Sequence, residues 1–326
     1  MKNFVLQVGC ILLATFSHGA QADPSYPGQP ITLLVPFSVG GDTDMFARNL
    51  TRHIGKYLPG SSFVVENRPG ASGSVAAHSV SRAKPDGYTL LLGRLATNVI
   101  QPAGDARTPY RWNDFTALGI LEFDPLICVV DPASPHKDPR ELMAAVRARP
   151  GSLKYGTAGP GTLNNFAVQY WLSLSGLKPE AAEAVHFNGS PEMLKALQER
   201  QIQFFCGVAA AVMPQIKSGA VHPLFTTASG RLPELPQIRT ASEVGLRDMG
   251  RMITWSAVMG PPGLPPQVVV KWKEALAGLA QDPEWIKETE RMGGQPAILA
   301  IKEPAKFIQD QHLLYERLLS TLALRK

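Results

Sequence analysis

Cysteine is scarce in this sequence, with three in 326 residues, at positions 10, 128 and 206. No pair of cysteines or histidines has the short spacing of a metal site, and the seven histidines are scattered. His53, His186 and His312 therefore read as structural or surface residues, and no metal or other cofactor is expected. Beyond Phe16 no apolar run approaches the roughly 20 residues that a membrane-spanning helix needs. Basic runs are missing too. The formal net charge of +5 comes from dispersed Lys and Arg, which argues against a nucleic-acid partner while leaving a mildly attractive surface for anions. A G-x-S-x-G elbow, a P-loop lysine and a Cys-His signature are all absent, and no paired carboxylates stand at an obvious site. The familiar routes to acyl transfer and nucleotide hydrolysis thus find no support.

What is present begins with an export pattern. Lys2 precedes a mostly apolar stretch from Phe4 to Phe16, and Ala20-Gln21-Ala22 has the A-x-A form that a signal peptidase reads. A signal peptide over residues 1–22 is expected, cleaved near Ala22. The mature chain would then start near Asp23, outside the cytoplasm, and losing Lys2 takes the formal charge from +5 to +4. Cys10 invites a lipoprotein reading, but Gln7 stands where a lipobox has a small aliphatic residue. Cys128 and Cys206 lie in the apolar runs PLICVV and IQFFCGV. An exported protein can pair them; the composition of these runs favours two buried free thiols.

Strand and helix patterns alternate along the rest. ITLLVPF (Ile31–Phe37) is a buried-strand run, and Phe46, Leu50, Ile54 and Leu58 form one stripe of a helix over Thr43–Leu58. Strands are predicted at Ser62–Asn67 and Tyr88–Gly93, and in LKYGTAG, AVHFNG, IQFFCGV and VHPLFTTA. Helices are predicted at Thr162–Ser175, Ser190–Arg200 and Ala211–Ser218, and in a C-terminal group at Gln267–Ala280, Pro283–Met292 and Pro304–Leu322. Such alternation implies an α/β fold of parallel-rich sheets flanked by helices. Thr116–Pro132 and Met252–Pro266 look like two passages between lobes. They divide the chain into a discontinuous lobe 1 (residues 23–125 and 253–326) and an inserted lobe 2 (residues 126–252), with a ligand cleft between them.

Three segments have the form strand, turn, helix start. In PFSVGGDTD (Pro36–Asp44), Gly40 and Gly41 let the backbone come close to a ligand. The exposed N–H groups and positive dipole end of the following helix then make an anion site. YGTAGPGTLNN (Tyr155–Asn165) repeats the logic, and HFNGSPEM places Asn188 and Ser190 before a third helix. A plain capped β-α turn explains any one of them. Three together suggest a carboxylate held by backbone donors from both lobes.

These residues resemble the tripartite tricarboxylate transporter receptors, also called Bug receptors. The similarity runs from YPGQPITLLVPFSVGGDTDMFAR through ENRPGASG, PDGYTLLLG, KYGTAGPGT and HFNGSPEMLKAL to WSAVMGPPGLPP. It implies a two-lobed periplasmic binding protein, monomeric, that closes on a small organic carboxylate and presents it to a membrane permease of one large and one small subunit. By position, the resemblance assigns ligand binding to Phe37, Ser38, Gly40, Gly41 and Asp44, with Thr157, Gly161 and Thr162 opposite. Thr97, Asn98, Asn188 and Ala209 join them. No catalytic residue is implied. A sensor for a membrane signalling partner is the alternative function, and an exported hydrolase a more remote one.

The departures from the family pattern are informative. Val39 replaces a usual Pro or Ala, a mild change. Asp42 stands where small or neutral residues are usual, and a second acid at an anion site is expected to face solvent and cap the helix. Arg200 and Gln203 replace Gly and Asp, and Gly207 replaces a frequent acid at the ligand's distal end. That last loss leaves room for a plain di- or tricarboxylate or an aromatic acid. Arg94 offers a partner for a distal carboxylate, although a surface position is the simpler expectation.

Overall fold

The computed structural model describes residues 26–321, so the expected export signal and its cleavage site lie outside the described residues. The first strands and helices follow the apolar patterning: β1 (Ile31–Val35), α1 (Asp42–His53), β2 (Phe63–Asn67), α2 (Ser74–Ser81) and β3 (Thr89–Arg94). Phe46, Leu50, Ile54 and Leu58 are all buried, so the stripe is as spaced, although the α-helix itself stops at His53 and a 3-10 turn carries Ile54. A π-helical stretch, Ala96–Ile100, leads into the short α3 (Gln101–Gly104).

The long β4 (Thr116–Val130) comes next. It is followed by α4 (Pro139–Ala148), β5 (Lys154–Thr157), α5 (Leu163–Leu174), β6 (Glu183–His186), α6 (Ser190–Gln198), β7 (Phe204–Val208), α7 (Ala209–Lys217) and β8 (His222–Thr226). β9 (Ile253–Gly260), α8 (Pro266–Leu279), α9 (Pro283–Arg291), β10 (Gln295–Pro296) and α10 (Pro304–Thr321) complete the order. Among the described residues no helix is long and apolar enough to cross a membrane.

The strands run β2-β1-β3-β9-β4-β7-β5-β6, with β8 and β10 also on β4. Pairing is parallel where a helix connects the strands: β1 with β2 and β3, and β5 with β6 and β7. The two stretches read as passages are β4 and β9, and they run antiparallel to each other, as β9 does to β3. β4 serves two groups of strands. Residues 116–125 pair with β9, whereas residues 126–130 lie between β7 and β8.

That second half of β4 is apolar throughout because both its faces are covered. Leu126, Cys128 and Val130 face the larger core with Tyr155, Trp171 and Phe204. Ile127 and Val129 face a second core with Met193, Phe205 and Val212. The same alternation corrects the expectation of free thiols. Cys128 and Cys206 are register partners on adjacent antiparallel strands, with Cα atoms 3.9 Å apart, and form a disulfide. Their composition argued for burial, which they have; the pairing depends on the register of strands 78 residues apart.

Candidate functional site

Three helices begin around one small pocket. It is lined by Phe37, Asp42 and Thr43 after β1, by Ala158, Thr162 and Asn164 after β5, and by Gly189 and Ser190 after β6. Arg94, Val208 and Thr254 close its inner wall. α1, α5 and α6 start at Gly41, Thr162 and Gly189 respectively, and none of these residues caps its helix through a side chain. Elsewhere α4 and α9 are capped by Asp138 and Asp282, while α2 and α8 start at Gly73 and Pro265 without a side-chain cap. The pocket's volume is about 30 Å³, room for a water or two. Two larger spaces share lining residues with one another: a groove of about 260 Å³ between Gly70–Gly73 and Ala158–Pro160, which also touches Phe37, and a cavity of about 470 Å³ beyond Ser72 and Pro160.

In the first turn Gly40 adopts a left-handed backbone (φ 77°), and its N–H donates to Asp44 Oδ2 at 2.9 Å. Asp44 Oδ2 also accepts from Arg48 Nε at 2.9 Å. Burial works to raise the Asp44 pKa, but the hydrogen bonds from Arg48 and Gly40 outweigh it and hold the carboxyl below its ordinary range. Asp44 thus stiffens the turn from behind. Ser38 Oγ is buried and makes no hydrogen bond among the described residues; it faces Gly189 of the third turn.

In the second turn the Thr162 hydroxyl donates to the Gly159 carbonyl at 2.8 Å and lies 3.1 Å from the Thr157 hydroxyl, which in turn accepts from Gly159 N–H at 3.2 Å. These contacts spend the two hydroxyls on holding the loop, and the Thr162 N–H is likewise used on the Gly159 carbonyl at 3.2 Å. Gly161 lies against Gln101 at the larger cavity. In the third turn Asn188 is exposed and bonds Glu192, so Gly189 and Ser190 are the residues that reach the pocket. Thr97 and Asn98 are wholly buried behind the wall, where Asn98 Oδ1 accepts the Arg94 N–H at 3.1 Å. Ala209 opens α7 and packs against Gly293.

Arg94 and Asp42 differ from expectation. Arg94 is 3% exposed, not a surface residue. Its Nη1 donates to Asp124 Oδ2 at 3.0 Å and to Ser256 Oγ, its Nη2 donates to Asp42 Oδ2 at 3.1 Å, and Glu122 lies 3.8 Å away. The Phe46 ring packs against the guanidinium. Asp42 neither caps α1 nor faces solvent. Gly41 is the N-cap, and Asp42 turns inward because a buried guanidinium stands within reach on one side and Ser190 Oγ, at 2.9 Å, on the other. Burial drives the Glu122 and Asp124 carboxyls above their usual range, and Arg94 only partly opposes it.

Glu122 and Asp124 are a buried carboxylate pair, against the expectation of none. Their signal was two acids at i, i+2 in the apolar strand run ILEFDPL, which puts both on one face. The Gly207 departure also has a physical basis. A Cβ there would come within 2.7 Å of both Val212 and Phe205, so no acidic side chain fits. Elsewhere, His53, Asp282 and Glu284 bring possible ligand atoms within 4.8 Å of one another, with the Lys56 ammonium already 3.1 Å from both carboxylates.

Known proteins resemble this chain in sequence and in fold. The family profile described as tripartite tricarboxylate transporter family receptor matches residues 46–324. A UPF0065 protein of Bordetella pertussis is 30% identical over 313 residues, covering 95% of each chain. MatC from Rhodopseudomonas palustris, solved with bound malate, superposes with a TM-score of 0.83 at 28% identity, covering 90% of this chain and 99% of its own. The periplasmic binding protein BugD superposes at 0.85 with 25% identity, covering 92% and 100%.

Proposed function

The chain belongs to the tripartite tricarboxylate transporter receptor family and has its two-lobed periplasmic binding protein fold, and from that premise we propose that it captures a small organic carboxylate and delivers it to a membrane transporter of that kind. The observation that carries the reading is the meeting of three helix starts without side-chain caps at one pocket. Orphan N–H groups and three positive dipole ends favour a carboxylate there. Malate bound in MatC is a ligand of that class. The mild positive charge of the chain favours its approach.

A pocket of about 30 Å³ admits no dicarboxylate, so binding requires the cleft to open and close again. In our reading the moving bodies are lobe 1 (residues 23–125 and 253–326) and lobe 2 (residues 126–252), hinged where β4 and β9 run side by side. The protein works in the periplasm as a binder, with no chemical step. Thermal melts with malate, succinate, citrate and benzoate test this, because a ligand selective for the native state must raise its Tm. No shift with any of them, or turnover of an ester or amide by the purified protein, refutes the proposal.

A further inference from the structure

The pocket proposed for a ligand's carboxylate already contains one, from the protein itself. Asp42 reaches across the pocket: Oδ1 accepts from Ser190, the first residue of α6, at 2.9 Å, and Oδ2 accepts from Arg94 Nη2 at 3.1 Å. One carboxylate therefore ties the start of α1 to the start of α6. The guanidinium is fixed from behind by Asp124, Ser256 and the Phe46 ring, so it cannot follow Asp42 outward. The side chains of Arg94, Glu122 and Asp124 are at most 3% exposed, whereas that of Asp42 is 13% exposed. Asp42 is thus the most exposed of the four and sits on the first residue of a helix, where rotation about its side-chain bonds moves the carboxylate without moving the backbone.

We propose that Asp42 is a tethered competitor, occupying between Arg94 and Ser190 the place where a ligand's second carboxylate binds. The inference rests on the carboxylate-receptor reading and narrows it to dicarboxylates. One ligand carboxylate meets the uncapped helix starts; the other displaces Asp42 and pairs with Arg94 Nη2 and Ser190 Oγ. A monocarboxylate has nothing to offer Arg94 in exchange and leaves Asp42 in place. Every dicarboxylate then binds more weakly than the site would allow, by the fraction of molecules in which Asp42 is displaced.

The test is isothermal titration of ligand-free wild type, Asp42→Asn and Asp42→Ala with succinate, malate and acetate, after circular dichroism shows each variant folded. The Ala variant is expected to bind succinate or malate about ten-fold tighter than wild type. The Asn variant, which keeps the shape without the charge, lies between, and acetate gains less than either dicarboxylate. Unchanged dicarboxylate binding by the folded Ala variant overturns the proposal, and weaker binding overturns it and makes Asp42 a ligand-holding group. An equal gain for acetate overturns the two-carboxylate assignment. If neither wild type nor variants bind succinate or malate while citrate or benzoate still raises the Tm, this inference fails and the receptor reading stands; if wild type binds a dicarboxylate and removing Asp42 brings no gain, only this inference fails.

Discussion

Gly189 is the position at which closure of the cleft is most directly open to test. Its backbone is extended (φ 169°), a conformation any residue adopts, so a side chain there strains nothing locally. A Cβ would nevertheless stand under 3.0 Å from Ser38 Oγ in the first turn, while its next neighbours, Pro191 Cδ and Ser38 Cβ, are 3.7 Å away and in ordinary contact. Gly189→Ala thus adds one methyl against one hydroxyl, between turns that in our reading belong to opposite lobes. Overpacking of this kind costs about 1–3 kcal/mol, here charged to the closed form alone, and so weakens ligand binding roughly five- to hundred-fold. The open form has no such contact, so the ligand-free protein should unfold at nearly its wild-type temperature.

Ser38→Ala removes the offending oxygen and leaves the remaining contacts at 3.7 Å. The double variant Gly189→Ala/Ser38→Ala should therefore bind as Ser38→Ala alone does. Isothermal titration of the four proteins gives the coupling directly. Wild-type affinity in Gly189→Ala, or a double variant as weak as the single, refutes the idea that these two turns meet in the liganded state.

Replacing both Cys128 and Cys206 by Ala removes a crosslink spanning 78 residues and should cost up to about 4 kcal/mol in urea unfolding; an unchanged midpoint would mean that the bond contributes nothing. Arg200 follows α6 in a left-handed conformation (φ 60°), with Arg200 N–H bonded to Leu197 and Gln201 N–H to Ala196, so Arg200→Gly, the residue its family favours, should stabilise by about 1 kcal/mol. Loss of stability would contradict that cap. Glu122 has its pKa raised by burial. The folded state then keeps a proton that the unfolded state has lost, so this group's contribution falls as pH rises from the ordinary carboxylate range through its folded pKa. Glu122→Gln should flatten the pH dependence of unfolding between mildly acid and mildly alkaline buffer, and a parallel dependence would exclude Glu122 as its source.

The order of strands and helices was legible because burial on both faces demands continuous apolar runs, and because the stripe from Phe46 to Leu58 is a helical period. The three turns were legible for the same local reason: each ends a strand with Gly beside a helix start. What the sequence did not show depends on partners far along the chain. The disulfide needs the register of β4 on β7, and nothing local encodes it. Arg94 looks like a surface residue until Asp42, Asp124 and Ser256 surround it, from 52, 30 and 162 residues away. Asp42 read as a cap on local rules, and a long-range ion pair overrode them. Glu122 and Asp124 were the available clue, since two acids rarely share the inward face of an apolar strand without a cation nearby.

The placement of β9 also governs how the chain can be assembled. β3 is complete once residue 94 has been made, yet its neighbour in the sheet spans Ile253–Gly260. A ribosome releases the N-terminal end first, so β1, β2 and β3 must wait through more than a hundred and fifty residues of synthesis with one edge unpaired. An open edge of that kind is where nascent chains join one another. The late arrival of β9 therefore predicts aggregation of the nascent chain in the absence of chaperones, which should fall in a circular permutant that begins at β9.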